Sequence, residues 1–127
     1  MCGIFAGYTP MVCFLEMGIL QSEFDKIQYR GPDLTKFALD KNEHVALGFH
    51  RLAINGVGST GDQPMTHPED PDLVLVCNGE IYNHKQLIRE NGFKTKSDSD
   101  CEVILHMYKK HGIKDTVKQL DGVFAFV

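Results

Sequence analysis

The chain has 127 residues, about the length of one domain, so it can bury a single core and support one activity. With 43% hydrophobic and 24% charged residues, its composition is that of a globular protein and not of a disordered one. Thirteen basic and seventeen acidic residues give a net charge of −4, and the basic residues are dispersed, which argues against a nucleic-acid partner.

The N-terminal segment is apolar but lacks the features of a signal peptide. No Lys or Arg precedes Lys26, Pro10 and Glu16 interrupt the apolar run, and no A-x-A cleavage pattern follows it. The run is also too short and too interrupted to span a bilayer. The sequence therefore predicts a cytoplasmic protein with no membrane partner.

The cysteines and histidines do not form a recognisable metal-binding pattern. The four cysteines are scattered without a C-x-x-C pair, and the six histidines show neither H-x-x-x-H nor H-E-x-x-H spacing. We therefore expect no metal, no cofactor and, in the cytoplasm, no structural disulfide.

The N-terminal half predicts a strand, a helix and a hairpin. Gly3 to Tyr8 is a short run of small and apolar residues, which is typical of a buried strand. Apolar residues at helical spacing predict a helix from Phe14 to Tyr29, which must stop near Arg30 because Gly31 and Pro32 follow. Two alternating runs in TKFALDKNEHVALGFHRLAIN predict a hairpin with residues 40–43 as its turn.

The middle of the chain predicts a loop, a strand and a short helix. Gly56 to Asp72 is rich in Gly, Pro and Asp, which indicates a surface loop that could cover a site. Leu73 to Gly79 predicts a strand that ends at an Asn-Gly pair. Asn83 is placed to cap a short helix that ends before Gly92.

The C-terminal part predicts a well-defined helix and a last strand. Ser99 and Glu102 have the spacing of a capping box, and Val103, Ile104, Met107 and Tyr108 share one face of the helix that follows. Gly112 ends this helix, and an amphipathic turn or two leads to an apolar strand from Gly122 to Val127. Because such a strand normally returns through a turn to a partner, we expect the fold to be incomplete at its C terminus.

Cys2 is the candidate nucleophile. If Met1 is removed, Cys2 carries both a thiol and a free α-amine, whose reference pKa of about 7.7 to 8.0 leaves an unprotonated fraction to act as base. The alternative is a small buried cysteine, the commoner role of an isolated free Cys. A third hypothesis makes His50 the base in a Cys-His pair, although nothing in the sequence orients it.

Other polar residues are candidates for binding or catalysis, and each has a structural alternative. Arg51 ends a strand, where its guanidinium can bind a carboxylate through two parallel hydrogen bonds; the alternative is a surface or ion-paired arginine. The Asn78-Gly79 pair is either a hairpin turn or a source of two donors for an oxyanion. Asp100 lies at a helix start, where it either favours the helix dipole or receives an ammonium group. Glu80 is ordinarily a solvated residue at a strand end.

Five motifs, taken together and in order, resemble the class II glutamine amidotransferase domain, and most of all its asparagine synthetase group. They are MCGI at the N terminus, RGPD at 30–33, HRLAI at 50–54, NGEIYNH at 78–84 and SDCEVI at 99–104, and LDGVFAFV at 120–127 is also similar. The resemblance covers the whole chain. It implies an α+β fold of the N-terminal nucleophile hydrolase type, a four-layer α-β-β-α sandwich of antiparallel sheets.

The resemblance also implies roles for individual residues. Cys2 attacks the side-chain amide of glutamine with its own α-amine as base, and the Asn78 side chain and the Gly79 N–H form the oxyanion hole. The substrate-binding residues implied are Arg51 for the α-carboxylate, Glu80 and Asp100 for the α-ammonium, and main-chain groups near Ile54. Arg30 and Asp33 of the RGPD motif are implied to hold a loop near the site.

The chain departs from the family in its extent. No S-G-G-x-D-S pyrophosphate loop is present, so we expect residues 1–127 to be a partial amidotransferase domain without a synthetase domain. The expected function is hydrolysis of glutamine to glutamate and ammonia, conditional on removal of Met1. The alternative is an inactive remnant that binds glutamine or a partner chain. Expected partners are glutamine and either an ammonia-accepting synthetase domain or a second copy of this chain.

Overall fold

The computed structural model describes residues 2–8, 14–40, 44–52 and 61–127. In chain order, the elements of these residues are β1 (Gly3–Tyr8), α1 (Phe14–Asp25), a 3-10 helix (Gln28–Arg30), β2 (Leu34–Leu39), β3 (Val45–Arg51), β4 (Met65–His67), β5 (Asp70–Leu75), β6 (Cys77–Ile81), α2 (His84–Asn91), α3 (Glu102–Gln119) and β7 (Gly122–Phe126).

The strands of the described residues pair only in the antiparallel sense. Strands β1, β3 and β2 form one sheet with β3 in the centre, while β4 pairs with β5 and β6 pairs with β7. The fold is therefore a mixed α+β architecture with antiparallel sheets, as predicted. No helix within the described ranges is long and apolar enough to cross a membrane.

The first sheet confirms the predicted N-terminal strand and hairpin. The ring of Phe24, which is fully buried, lies against the sheet with its centroid 5.8 Å from that of Phe5 and 5.5 Å from that of Phe37. Asp40 begins the hairpin turn, because its carboxylate accepts the N–H of Val45 at 2.6 Å. Residues 41–43, the rest of that turn, lie outside the described residues.

Helix α1 is shorter than the predicted span from Phe14 to Tyr29. It ends at Asp25. Beyond this point, the N–H of Ile27 donates to the carbonyl of Phe24 at 3.1 Å, and the N–H of Arg30 donates to the carbonyl of Ile27 at 3.0 Å. Such three-residue bonds are typical of 3-10 turns, which often end helices.

The predicted loop and strand in the middle of the chain are wrong in two respects. The segment from Gly56 to Asp72 contains β4 and the start of β5, although residues 53–60 lie outside the described part. The predicted strand from Leu73 to Gly79 is divided, since β5 ends at Leu75 and β6 begins at Cys77. The Asn-Gly pair does not end a strand but lies inside β6, where its pairing with β7 outweighs the local preference for a turn.

A second core forms between α3 and strands β4 to β7. Val103, Ile104 and Met107 are buried there, whereas Tyr108, which the sequence predicts to share their face of the helix, is 44% exposed. Gly112 takes a φ of 72°, outside the helical region, and breaks α3 at the point where the sequence predicts its end. Strand β7 confirms the predicted last strand.

The two predicted N-terminal caps do not form. Asn83 precedes α2, but its side chain donates to the carbonyl of Gln119 at 2.8 Å and accepts the N–H of Asp121 at 3.0 Å, which ties α2 to the start of β7. At α3 the N-cap residue is Cys101 and not Ser99, and in the described part of the chain it has no side-chain capping bond. The predicted C-terminal cap at Gly92 is confirmed, with a left-handed φ of 68°.

Glu102 accepts hydrogen bonds from the loop that precedes α3 instead of forming a capping box. Its carboxylate accepts the backbone N–H groups of Lys96 and Ser97, both at 2.7 Å, and the hydroxyl of Ser97 at 2.5 Å. Burial raises the pKa of Glu102, but these hydrogen bonds outweigh it, so that its pKa lies below the ordinary value of 4.5.

We expect Glu102→Gln to destabilise the protein near neutral pH by about 2 kcal/mol, because an amide cannot accept all three donors. The lowered folded-state pKa means that the carboxylate stabilises the fold above pH 4.5 and loses this effect as the pH falls through the folded-state value. Urea unfolding at pH 7 and at pH 3.5 measures the difference, which should shrink in acid. The exposed variant Glu90→Gln is the control, and an equal loss at both pH values would contradict the prediction.

Candidate active site

Cys2 lies at the start of β1, beside the end of β3. Its half-buried thiol donates to the carbonyl of Leu52 at 3.7 Å, and its Sγ accepts the N–H of Leu52 at 3.4 Å. The Nε of Arg30 donates to the carbonyl of Cys2 at 3.1 Å. The backbone of Leu52 thus holds the Cys2 thiol and the Arg30 side chain holds the Cys2 carbonyl, while the thiol stays partly accessible.

The RGPD motif packs closely against the backbone at the end of β3. A Cβ atom on Gly31 would overlap the carbonyl group of His50 and lie 2.6 Å from the carbonyl carbon of Arg51. The N–H of Asp33 donates to the carbonyl of Arg51 at 3.0 Å. This close approach, which requires glycine, brings Arg30 within reach of Cys2.

Arg51 ends β3 with a largely buried side chain. Its Nη1 donates to Asp62 at 2.6 Å, and the second oxygen of Asp62 accepts Nζ of Lys36 at 3.1 Å. The side chain of Arg51 is 12% exposed, so it is not a surface arginine, but it is the ion-paired arginine that the sequence left open as an alternative. Its guanidinium is already oriented toward a carboxylate.

Strand β6 places Asn78 and Glu80 on one face and the core residues Cys77 and Ile81 on the other, because side chains alternate along a strand. Asn78 is half-buried and Glu80 is exposed. Gly79 lies between them, opposite Phe124 of β7, and a Cβ there would overlap the Val123 carbonyl oxygen. Glycine is therefore required for strand pairing here and not for a turn.

The N–H of Gly79 points to the edge of β6 that faces away from β7. On that outer edge, the backbone of Cys77 bonds to the side chain of Gln63, and the N–H of Ile81 donates to Asp100 at 2.5 Å. The direction of backbone bonding alternates along an antiparallel strand, so Gly79 shares this edge with Cys77 and Ile81. The carboxylate of Asp100 therefore lies at the backbone N–H of Ile81, the residue that follows Glu80.

The candidate residues fall into two groups on two different sheets, and strands of these sheets approach each other. Cα atoms of β1, which follows Cys2, and of β6 approach to within 8 Å. Cys2 precedes β1 and Arg51 ends β3 of the first sheet, whereas Asn78 and Glu80 lie on β6 of another sheet and Asp100 bonds to β6. Ile54 lies outside the described residues.

The whole chain, residues 1–127, matches the family model of the glutamine amidotransferase domain. The chain belongs to the glutamine amidotransferase domain family. The domain is also 42% identical to "Asparagine synthetase [glutamine-hydrolyzing]" of Homo sapiens and 43% identical to the proteins of that name from Gallus gallus and Bos taurus. These alignments span 128 residues, all of this chain and 22% of each relative. The family resemblance indicated by the sequence motifs is confirmed.

The amidotransferase domain does not use His50 as a base for Cys2. His50 is fully buried, with Nδ1 bonded to the hydroxyl of Thr35 at 2.8 Å and Nε2 to the carbonyl of Phe24 at 3.1 Å. Its ring also stacks on that of Phe24 at 3.9 Å. Both ring nitrogens are engaged away from the thiol, so the hypothesis of a Cys-His pair is wrong.

Two further thiols of the amidotransferase domain are poor nucleophiles. Cys77 and Cys101 are both buried, unlike Cys2. A hydrogen bond with Cys77, together with burial, raises the pKa of Cys101 far above its ordinary value. Because the thiolate is the reactive form, Cys2 is the best-placed nucleophile among the described cysteines.

Asp62 and Gln63 contact the candidate site although the sequence did not single them out. Both lie in the segment predicted to be a covering loop, and their partners Arg51 and Cys77 are 11 and 14 residues away in the chain. No local pattern signals such contacts. The only hint was the position of this segment between two of the motifs.

A separate cavity of about 440 Å³ is lined by none of the candidate residues that the structure describes. It is lined by His67, Pro68, Glu69, Gly92, Phe93, Lys94, His106, Lys109 and Lys110. Burial, His106 and Lys109 together lower the pKa of His67. Within the described ranges, no group of three or more His, Cys, Asp or Glu side chains is arranged to hold a metal ion.

Proposed function

We propose that the amidotransferase domain hydrolyses the side-chain amide of glutamine to glutamate and ammonia, with Cys2 as nucleophile. The observation that carries the proposal is the position of the half-buried Cys2 thiol, which bonds to Leu52 directly after the end of β3, the strand that presents Arg51. Glutamate release by protein whose first residue is Cys2 tests it, and a mature protein that releases none overturns it.

The reaction begins at the thiol. The α-amine of Cys2, free once Met1 is removed, accepts the thiol proton as Sγ attacks the amide carbon of glutamine. The tetrahedral intermediate collapses to a thioester as the C–N bond breaks and the amine returns the proton to the departing ammonia. Water then attacks the thioester, which yields glutamate and restores the thiol.

The negative charge of the tetrahedral intermediate needs two donors. In our proposal they are the side-chain amide of Asn78 and the N–H of Gly79, which points to the outer edge of β6. Preorganised donors of this kind are each worth about 10² to 10³ in rate. The rigid pairing of β6 with β7 supports such preorganisation.

The α-carboxylate of glutamine is proposed to bind Arg51, while Glu80 and Asp100 receive the α-ammonium and main-chain groups near Ile54 complete the pocket. The contact of Arg51 with the Asp62 carboxylate at 2.6 Å supports this assignment. The bond from Ile81 to Asp100 fixes one carboxylate oxygen of Asp100 beside Glu80. The proposed pocket thus has one cationic side chain, Arg51, for the α-carboxylate and two anionic side chains, Glu80 and Asp100, for the α-ammonium, which are the two charged groups of an amino acid.

We expect Arg51→Lys to raise the KM for glutamine about tenfold or more, because lysine keeps the charge but loses the two-pronged geometry. The kcat should fall less, since the carboxylate is remote from the reacting amide. Initial rates of glutamate release across a glutamine series measure both constants. Arg89→Lys on the exposed side of α2 is the control, and an unchanged KM in Arg51→Lys would refute the assigned role.

The proposal extends to the domain as a whole. In our proposal, residues 1–127 are a partial amidotransferase domain of the four-layer type, which is supported by the packing of Phe24 of α1 against one sheet and of α3 against the other strands. The ammonia acceptor is a synthetase domain, either in the same protein or in a partner. An inactive remnant, the alternative, would bind glutamine but release no glutamate.

A further inference from the structure

The outer edge of β6 is closed on both sides of Gly79 by side chains. At one end, Oε1 of Gln63 accepts the N–H of Cys77 at 2.5 Å, and Nε2 of Gln63 donates to the carbonyl of Cys77 at 3.0 Å. At the other end, Asp100 accepts the N–H of Ile81. The backbone of Gly79 lies between these two attachments.

The Gln63 side chain takes the place of a neighbouring strand. In a hydrogen-bonded antiparallel pair, a residue donates its N–H to the facing residue and accepts the N–H of that residue with its carbonyl. The side-chain amide of Gln63 makes the same two bonds with the backbone of Cys77. Gln63 is 4% exposed and Cys77 is 1% exposed, so water does not substitute for these bonds. Without Gln63, the N–H and carbonyl of Cys77 would lose their partners at the residue that precedes Asn78.

Asp62, the preceding residue, holds the other half of the candidate site. One of its carboxylate oxygens accepts Nη1 of Arg51 at 2.6 Å, and the other accepts Nζ of Lys36 at 3.1 Å. Lys36 and Arg51 lie on adjacent strands of the first sheet. Two successive residues therefore connect Arg51 on β3 to the first residue of β6.

We propose that Asp62 and Gln63 are positioning residues for glutamine hydrolysis: Gln63 fixes the strand that carries the oxyanion donors, and Asp62 orients the Arg51 guanidinium. This inference rests on the proposed function. Neither residue touches the reacting atoms, and each acts through a residue that does. The two contacts join substrate binding and oxyanion stabilisation through one short segment.

The two residues should affect different kinetic constants. Gln63→Met keeps the length of the side chain but removes both hydrogen bonds, and it should lower kcat about 10- to 100-fold, less than the loss of an oxyanion donor itself, with KM changed little. Asp62→Asn weakens the hold on Arg51 and should raise KM more than it lowers kcat. Gln86→Met, at an exposed position on α2, is the matched control.

The rate of Cys2 alkylation by iodoacetamide separates positioning from a general loss of structure. Gln63→Met should keep the wild-type alkylation rate while kcat falls, because the thiol is attached to β3 and not to β6. Unchanged kcat in Gln63→Met, or a parallel loss of alkylation and kcat, would overturn the role of Gln63. Unchanged KM in Asp62→Asn would overturn the role of Asp62.

Amide hydrogen exchange provides a readout that does not depend on activity. Gln63→Met should speed exchange at the Cys77 amide while residues of α2 keep their protection. If the wild type releases no glutamate, the proposed function fails. Slow exchange at Cys77 in Gln63→Met would instead show that Gln63 does not hold β6.

Discussion

Replacement of Cys2 with alanine is expected to abolish glutamate release from glutamine while the fold is retained. Removing the nucleophile of a covalent hydrolase lowers kcat on the order of 10⁶-fold, which places the variant below detection. Among the residues that the structure describes, the thiol makes two long hydrogen-bond contacts, both with Leu52, at 3.4 and 3.7 Å, so its loss should change the free energy of unfolding by about 1 kcal/mol or less.

An enzyme-coupled assay of glutamate, preceded by intact-mass analysis of the N terminus, measures this effect. Protein that retains Met1 should be nearly as inactive as Cys2→Ala, because a peptide bond then replaces the free α-amine. Equal melting temperatures of wild type and variant exclude unfolding as the cause. Release by Cys2→Ala at the wild-type rate would exclude Cys2 as the nucleophile.

The sequence predicts best those elements that short-range physical rules determine. Gly3–Tyr8 is a strand with the predicted bounds, and the hairpin around Asp40 forms as its alternating pattern indicates. Gly92 and Gly112 lie where the helical pattern breaks, and both adopt positive φ values. In each case the signal lies within a few residues of the element.

The errors arise where a distant partner outweighs a local preference. Asn78-Gly79 has the composition of a turn, but pairing with β7, more than forty residues later, keeps it inside a strand. Glu102 has capping-box spacing from Ser99, yet the N–H groups of Lys96 and Ser97 take its carboxylate. Propensity alone does not show which of several competing partners a polar group selects.

The candidate site was accessible from the sequence only in part. The motifs supplied Cys2, Arg51 and Asn78 through family resemblance; the structure places Cys2 and Arg51 at the paired strands β1 and β3, and Asn78 on β6, whose Cα atoms come within 8 Å of those of β1. Asp62 and Gln63 carry no motif of their own, because their roles depend on where the chain folds back. Positioning residues of this kind are defined by tertiary contacts and become visible only in three dimensions.

Gly31→Ala is expected to lower the free energy of unfolding by about 3 kcal/mol or more, because overpacking against rigid backbone cannot be relieved by a side-chain movement. The new methyl group would overlap the carbonyl of His50 and crowd Arg51 at 2.6 Å. The surrounding motif would have to move away from β3, which would break the bond from Arg30 to Cys2. Activity should therefore fall further than stability alone explains.

Gly18→Ala is the matched control for this substitution. Gly18 lies in α1 with nothing within 4 Å of a Cβ atom, so the same chemical change should stabilise the helix by about 0.5 to 1 kcal/mol. Urea unfolding of the two variants followed by circular dichroism should give shifts of opposite sign. Surface substitutions usually change the free energy of unfolding by no more than about 0.5 kcal/mol. A change that small in Gly31→Ala would show that the RGPD motif does not pack against β3 as described. Arg30 would then not be the residue that holds the Cys2 carbonyl.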